Sequence, residues 1–157
     1  NIENVVLRQE NISGLGVAYI YLQEYDAAEK VLLHAVDILE ELDYEDGRMI
    51  GAKYDYLSLL YKKKEDYDKA IIYSLRAMKS FMDEYDSNHI YIAVMQFNLG
   101  QAYAMMSQVD SSRTYYERSL NGMKKHYTPE DEGYKRVVFI EQQLSKLDSA
   151  RVGITAL

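Results

Sequence analysis

Hydrophobic and polar positions recur along this chain with two superposed periods. The short period is helical: Ile12, Leu15, Gly16 and Tyr19 follow the i, i+3, i+4, i+7 spacing that gathers them on one helix face. Tyr54, Leu57, Ser58 and Tyr61 repeat that spacing further on. The long period is 42 residues, the distance from Leu15 to Leu57 and from Leu57 to Leu99. Gly16, Ser58 and Gly100 keep the same register, as do Tyr19, Tyr61 and Tyr103. It runs on without insertion through Asp26, Asp68 and Asp110, then Ala28, Ala70 and Ser112, then Ala35, Ala77 and Ser119. A fixed period of roughly 20 to 50 residues marks a repeat architecture, in which each unit buries its apolar face by stacking on the next.

Each copy reads as a helix hairpin. The second helix is expected to begin at Asp26, Asp68 or Asp110, whose carboxylate would accept from the free amides of the first turn. Asp26 followed by Glu29 has the spacing of a capping box. The small residues Gly16, Ser58 and Gly100, with Ala28, Ala70 and Ser112, fall where two antiparallel helices cross, because only small side chains let the backbones come close.

The repeats are expected at about 9–50, 51–92 and 93–127 within a single domain over 1–157. A further helix is expected from about 128 to 148, with Thr128 as cap, Pro129 at the first helical position, and Glu130 and Asp131 complementing the dipole. Its segment Glu141, Gln142, Gln143, Ser145, Lys146 is polar and suits a capping helix at an exposed end. The alternative is a fourth repeat cut short. The tail 149–157 carries no clear pattern, and a start at Asn1 reads as an excised piece of something longer.

Composition narrows the class of work. An apolar share of 48% with eight glycines and one proline is that of a globular chain. With 18 Lys+Arg against 25 Asp+Glu the net charge is −7, which repels a polyanion, so no nucleic-acid partner is expected of this segment. No cysteine occurs, which excludes disulfides, thiolate zinc sites and thiol catalysis. No apolar run approaches the roughly 18 residues of a membrane span, so no membrane partner is expected. A cytoplasmic location is expected, and a periplasmic one also fits.

The repeated residues resemble the tetratricopeptide repeat, whose consensus is W-x2-L-G-x2-Y, then A-x3-F, then P. Copy one reads Ile12, Leu15, Gly16, Tyr19, Ala28, Leu32; copy two Tyr54, Leu57, Ser58, Tyr61, Ala70, Ser74; copy three Gln96, Leu99, Gly100, Tyr103, Ser112, Tyr116. The consensus Trp is absent, and Glu40, Met82 and Lys124 stand where the closing Pro would be. The period exceeds the usual 34 by about two helical turns. Such lengthened repeats are similar to those of kinesin light chains and of bacterial tetratricopeptide regulators. The resemblance implies an all-α fold, a right-handed superhelix or α-solenoid of three helix hairpins plus a terminal helix.

No residue set points to catalysis. His34, His89 and His126 fall on different helices or helix ends without a nucleophile or paired carboxylates, so no catalytic residue, metal site or cofactor is expected. Glu40, Glu41, Asp43, Glu45, Asp46 and Gly47 lack the alternating order of a calcium loop and read as a solvated turn. Lys62, Lys63 and Lys64 end a first helix, where cations complement the dipole.

The other face of the first helices is more informative. If Leu15 and Tyr19 face the second helix, then Ser13, Val17, Ile20 and Tyr21 point roughly away from it and should be partly exposed. The matching positions are Asp55, Leu59, Lys62 and Lys63, then Phe97, Gln101, Ala104 and Met105. A purely solvated face would not carry so many apolar side chains, although Val17, Leu59 and Ala104 can also serve packing between neighbouring first helices. In the resembled family this face lines a concave groove for peptides or partner helices, which implies a protein or peptide partner here. The groove set is Ser13, Val17, Tyr21, Asp55, Leu59, Lys62, Phe97, Gln101 and Met105. Relatives that grip the acidic C-termini of chaperones use a Lys, Asn and Arg clamp, and those positions here read Ser13, Val17, Tyr56, Val94 and Asn98. An apolar or mixed peptide is therefore expected. The function expected is a non-enzymatic interaction module, monomeric or weakly dimeric, and the alternative is a peptide-sensing domain of a larger bacterial regulator. Self-association is expected at the N-terminal end, through Ile2, Val5, Val6 and Leu7.

Overall fold

The computed structural model describes residues 2–42 and 46–155, with side chains for Asn4, Arg8, residues 11–42 and residues 46–149. Among the described residues seven helices follow one another: α1 (Ile2–Tyr21), α2 (Tyr25–Glu41), α3 (Gly47–Lys63), α4 (Tyr67–Glu84), α5 (Ile90–Met105), α6 (Val109–Met123) and α7 (Tyr134–Thr155). No strand occurs among the described residues. The chain forms two compact units, residues 1–84 and 85–157. The first holds the hairpins α1–α2 and α3–α4, with α1 and α2 both packed on α3. The second holds the hairpin α5–α6, with α7 packed on α6.

The hairpin crossings fall on the 42-residue register. A Cβ on Gly16 would stand 2.6 Å from Leu32, and one on Gly100 would stand 2.6 Å from Tyr116. At the middle crossing Ser58 and Ser74 meet instead, their hydroxyl oxygens 2.6 Å apart. Ala28, Ala70 and Ser112 are fully buried beside these contacts. The buried hydroxyls are satisfied, Ser112 donating to the Gly100 carbonyl at 2.9 Å and Ser119 to the Ala93 carbonyl at 2.7 Å. In the second unit Phe97, Tyr116, Met123, Val137 and Ile140 form one apolar core under α7.

The turns inside the hairpins also repeat. Gln23, Glu65 and Ser107 adopt left-handed backbone at φ 63°, 61° and 57°. The next amide donates back to Tyr19, Tyr61 and Tyr103 at 2.9 Å each time, closing a Schellman motif. This motif moves the helix starts expected from the sequence. The second helices begin at Tyr25, Tyr67 and Val109, so Asp26, Asp68 and Asp110 sit inside the first turn, and α2 and α6 have no side-chain cap. Before α4 it is Asp66 that accepts from an amide, that of Lys69 at 3.2 Å. Glu29 makes no capping box; its carboxylate faces Tyr61 and Lys64.

The last helix departs similarly. It begins at Tyr134, and Pro129 lies in the preceding turn. There the amide and hydroxyl of Thr128 both donate to one carboxylate oxygen of Asp131, at 2.7 and 3.0 Å. That ring of hydrogen bonds holds residues 128–131 as a turn, and α7 then continues through Thr155. Of the acidic stretch, Asp46 caps α3 by accepting from Arg48 and Met49, whereas Asp43 and Glu45 lie outside the described residues. So do the side chains of Ile2, Val5, Val6 and Leu7.

Candidate interaction faces

In the first unit the outward positions of α1 and α3 lie on neighbouring helices. Tyr21 is 75% exposed. Val17, Asp55, Leu59 and Lys62 are half-buried and Lys63 is exposed. Two expectations fail here, because Ser13 and Ile20 are buried, α1 being packed on both α2 and α3. In the second unit Met105 is 63% exposed, Ala104 is exposed and Gln101 is half-buried. Phe97, expected on the open face, is buried, with its ring edge-to-face on Phe139 of α7 at 5.8 Å and tilted against Tyr116 at 6.3 Å. Of the expected groove residues, Val17, Tyr21, Asp55, Leu59 and Lys62 in the first unit and Gln101 and Met105 in the second are partly or largely exposed.

Equivalent residues of the repeats meet different surroundings. Leu57 and Leu99 are fully buried, yet Leu15 is 47% exposed. It lines an open cleft of about 760 Å³ between α1 and α2, together with Ile12, Tyr19, Val31 and His34. One repeat later α2 covers that surface. Tyr54 donates to Glu40 at 2.8 Å, Tyr61 donates to Glu29 at 2.6 Å, and Lys64 pairs with Glu29. The cleft was not foreseen, although the register contained a signal: Val31 stands where repeats two and three carry Tyr73 and Tyr115. Tyr73 stacks on Tyr61 at 5.3 Å and Tyr115 on Tyr103 at 5.4 Å, with Arg76 and Arg118 beside the rings.

These junctions shift the acidity of their members. The hydrogen bond from Lys64, followed by that from Tyr61, holds the Glu29 carboxyl below its ordinary range. The same bond raises the Lys64 ammonium. Burial, followed by the hydrogen bond to Glu40, pushes the Tyr54 hydroxyl up to about 12, and burial with Glu29 raises Tyr61 further. Such shifts reflect helix-to-helix anchoring and supply no poised acid or base near neutral pH.

The histidines do not converge. His34 lies on the cleft, His89 caps α5 by accepting from the Tyr91 amide at 3.3 Å, and His126 bonds the Asn88 carbonyl at 2.6 Å. Among the described residues no group of three or more His, Asp or Glu side chains is placed to hold a metal ion. None of the described helices is long and apolar enough to cross a membrane.

Comparison with known proteins agrees with this geometry. Family models of the tetratricopeptide repeat match residues 12–42 and 49–125. No curated protein matches. Among solved structures, the crystal structure of BtubC (BKLC) from P. vanneervenii has a TM-score of 0.76 with this chain at 18% sequence identity. The match covers 95% of this chain and 66% of that one, so this chain spans slightly less than two thirds of its neighbour's length. At that identity the likeness establishes the fold, which is all-α and of the tetratricopeptide solenoid class. Tetratricopeptide repeats are in general protein-interaction modules. Two family models and three helix hairpins crossing on a 42-residue register place this chain in the tetratricopeptide-repeat family.

Proposed function

We propose that the chain is a non-enzymatic interaction module that binds an apolar or mixed peptide, or a partner helix, on the faces of its first helices. The observation that carries this reading is the exposure of Tyr21 and Met105, at 75% and 63%, on helices whose remaining outward positions mix apolar and charged groups. Aromatic and thioether side chains provide contact area, and a polar rim with Asp55 and Lys62 would fix orientation. Because charges of both signs border the face, affinity should vary only modestly with salt. The module acts as a monomer or weak dimer in this reading.

The test is selection of peptides from a random display library against the immobilised chain. Binding of the selected peptides should weaken by about 2 kcal/mol or more in the double variant Tyr21→Ala, Leu59→Ala if these are hot spots. Circular dichroism should show unchanged helix content. Selected peptides that bind parent and double variant equally would move the site off the first helices of this unit.

A further inference from the structure

We infer that two copies of the chain associate through α4, antiparallel, along a strip formed by Ile72, Leu75, Lys79 and Met82. It lies on a second helix, apart from the faces of the first helices. The buried positions of α4 are Ala70, Ser74, Ala77 and Phe81. On the opposite side Ile72, Leu75 and Met82 are 48%, 37% and 52% exposed, with Lys79 exposed among them. Their spacing of three, four and three residues is that of a coiled-coil seam. Single exposed apolar residues are ordinary on a surface, but a row at this spacing makes a continuous strip. The hairpin itself does not require it. Lys30 and Thr114 occupy the register position of Ile72, Leu33 and Glu117 that of Leu75, and Glu40 and Lys124 that of Met82.

Charge selects the occupant. The strip is flanked on one side by Lys69, Arg76 and Asp83, each seven residues from the next. In an antiparallel pair the seam sets Ile72 against Met82 and Leu75 against Lys79 of the second copy, and the flank sets Lys69 against Asp83. A two-fold axis makes each contact twice, so two pairs of opposite charge close the ends. Lys69 and Asp83 are both exposed, Lys69 also lying 3.5 Å from Asp66. Arg76 falls near the axis, but its guanidinium lies 5.7 and 5.6 Å from the Tyr54 and Tyr73 rings, which draws it back from its counterpart. The Lys79 stem covers Leu75 of the second copy while its ammonium stays in water. A parallel pair would instead set Lys69 on Lys69 and Asp83 on Asp83. The other second helices lack this complementarity, with Ala27 and Glu41 at the flank ends of α2 and Ser111 and Lys125 at those of α6.

The size of the contact sets its strength. With 18 residues α4 is about 27 Å long and about 10 Å across. Its footprint is well below the roughly 800 Å² per partner of a stable interface, so the dimer is weak and forms as concentration rises.

Sedimentation velocity of the whole chain over a range of concentrations reads the association, and a monomer–dimer equilibrium is expected. Ile72→Glu should weaken it about tenfold or more, because a carboxylate enters the apolar seam without a partner. Lys69→Glu and Asp83→Lys should each weaken it about fivefold, since either change makes both end pairs repulsive. An equimolar mixture of those two variants should form a heterodimer about as tight as the parent dimer, because every end pair is again of opposite sign. The substituted side chains are exposed, so circular dichroism should show unchanged helix content. A chain that stays monomeric at every concentration overturns the proposal. So does equal association of the parent and Ile72→Glu chains, or a mixture that associates no better than its two components.

Discussion

The Tyr61 hydroxyl of α3 donates to the Glu29 carboxylate of α2 at 2.6 Å, and the Lys64 ammonium closes on the same carboxylate. This joins one repeat to the next by a charge-assisted pair whose side chains are about a quarter exposed. Glu29→Gln keeps the shape and removes the charge. Because solvent screens a partly exposed pair, the expected loss is about 1 kcal/mol, read as a lower urea midpoint with an unchanged slope.

The pH profile of stability should fall on both sides of neutrality. Glu29 has a lowered pKa in the folded chain, chiefly through Lys64, so its contribution is present above the unfolded carboxyl value of about 4.3 and is lost as pH falls through the folded value. Tyr54 and Tyr116 are raised to about 12 by burial, so their contribution is present below the unfolded value of about 10. It is lost as pH rises from about 10 to about 12, while the unfolded chain ionises first. Urea midpoints across the range, with tyrosinate absorbance at the alkaline end, would test this. A profile flat from pH 8 to about 12 would contradict the buried tyrosines.

Two glycines on one helix should respond oppositely to alanine. Gly14 has nothing within 4 Å of an added Cβ, so Gly14→Ala should stabilise by about 0.5 to 1 kcal/mol through helix propensity alone. Gly16 would place a Cβ 2.6 Å from Leu32 in the hairpin crossing, so Gly16→Ala should destabilise. At the third crossing Gly100→Leu should cost about 1 to 3 kcal/mol or more by overpacking against Tyr116. The exposed Lys30→Ala should stay within about 0.5 kcal/mol. Thermal melts of the four variants decide the order.

The left-handed turn residues offer a stabilising change. Glu65 sits at φ 61° in the Schellman turn between α3 and α4, a conformation in which a Cβ is strained and glycine is not. Glu65→Gly should raise stability by about 0.5 to 1 kcal/mol, as cap optimisation commonly does. A lower melting temperature would mean that the Glu65 side chain contributes more than its backbone strain costs.

The repeat, the hairpins and their crossing points were all legible in the sequence. Gly16, Ser58 and Gly100 recur every 42 residues, and a close helix approach leaves that mark on the residue that permits it. The caps of the second helices were read two residues off, at Asp26, Asp68 and Asp110 in place of Glu24, Asp66 and Gln108. The left-handed conformation that sets them is adopted by Gln23, Glu65 and Ser107, none of them a glycine that would have announced it.

What only the tertiary structure decided is which repeated positions are covered. Leu15, Leu57 and Leu99 are one residue type at one register position, yet they are 47%, 0% and 0% exposed. Phe97 vanished into a core that α7 closes, while Tyr21 stayed open. Local sequence selects a residue's helix and face through the helical period, and these carry through every copy. Burial depends on what the neighbouring element places against that face, and a neighbour's presence is not written in the residue it covers.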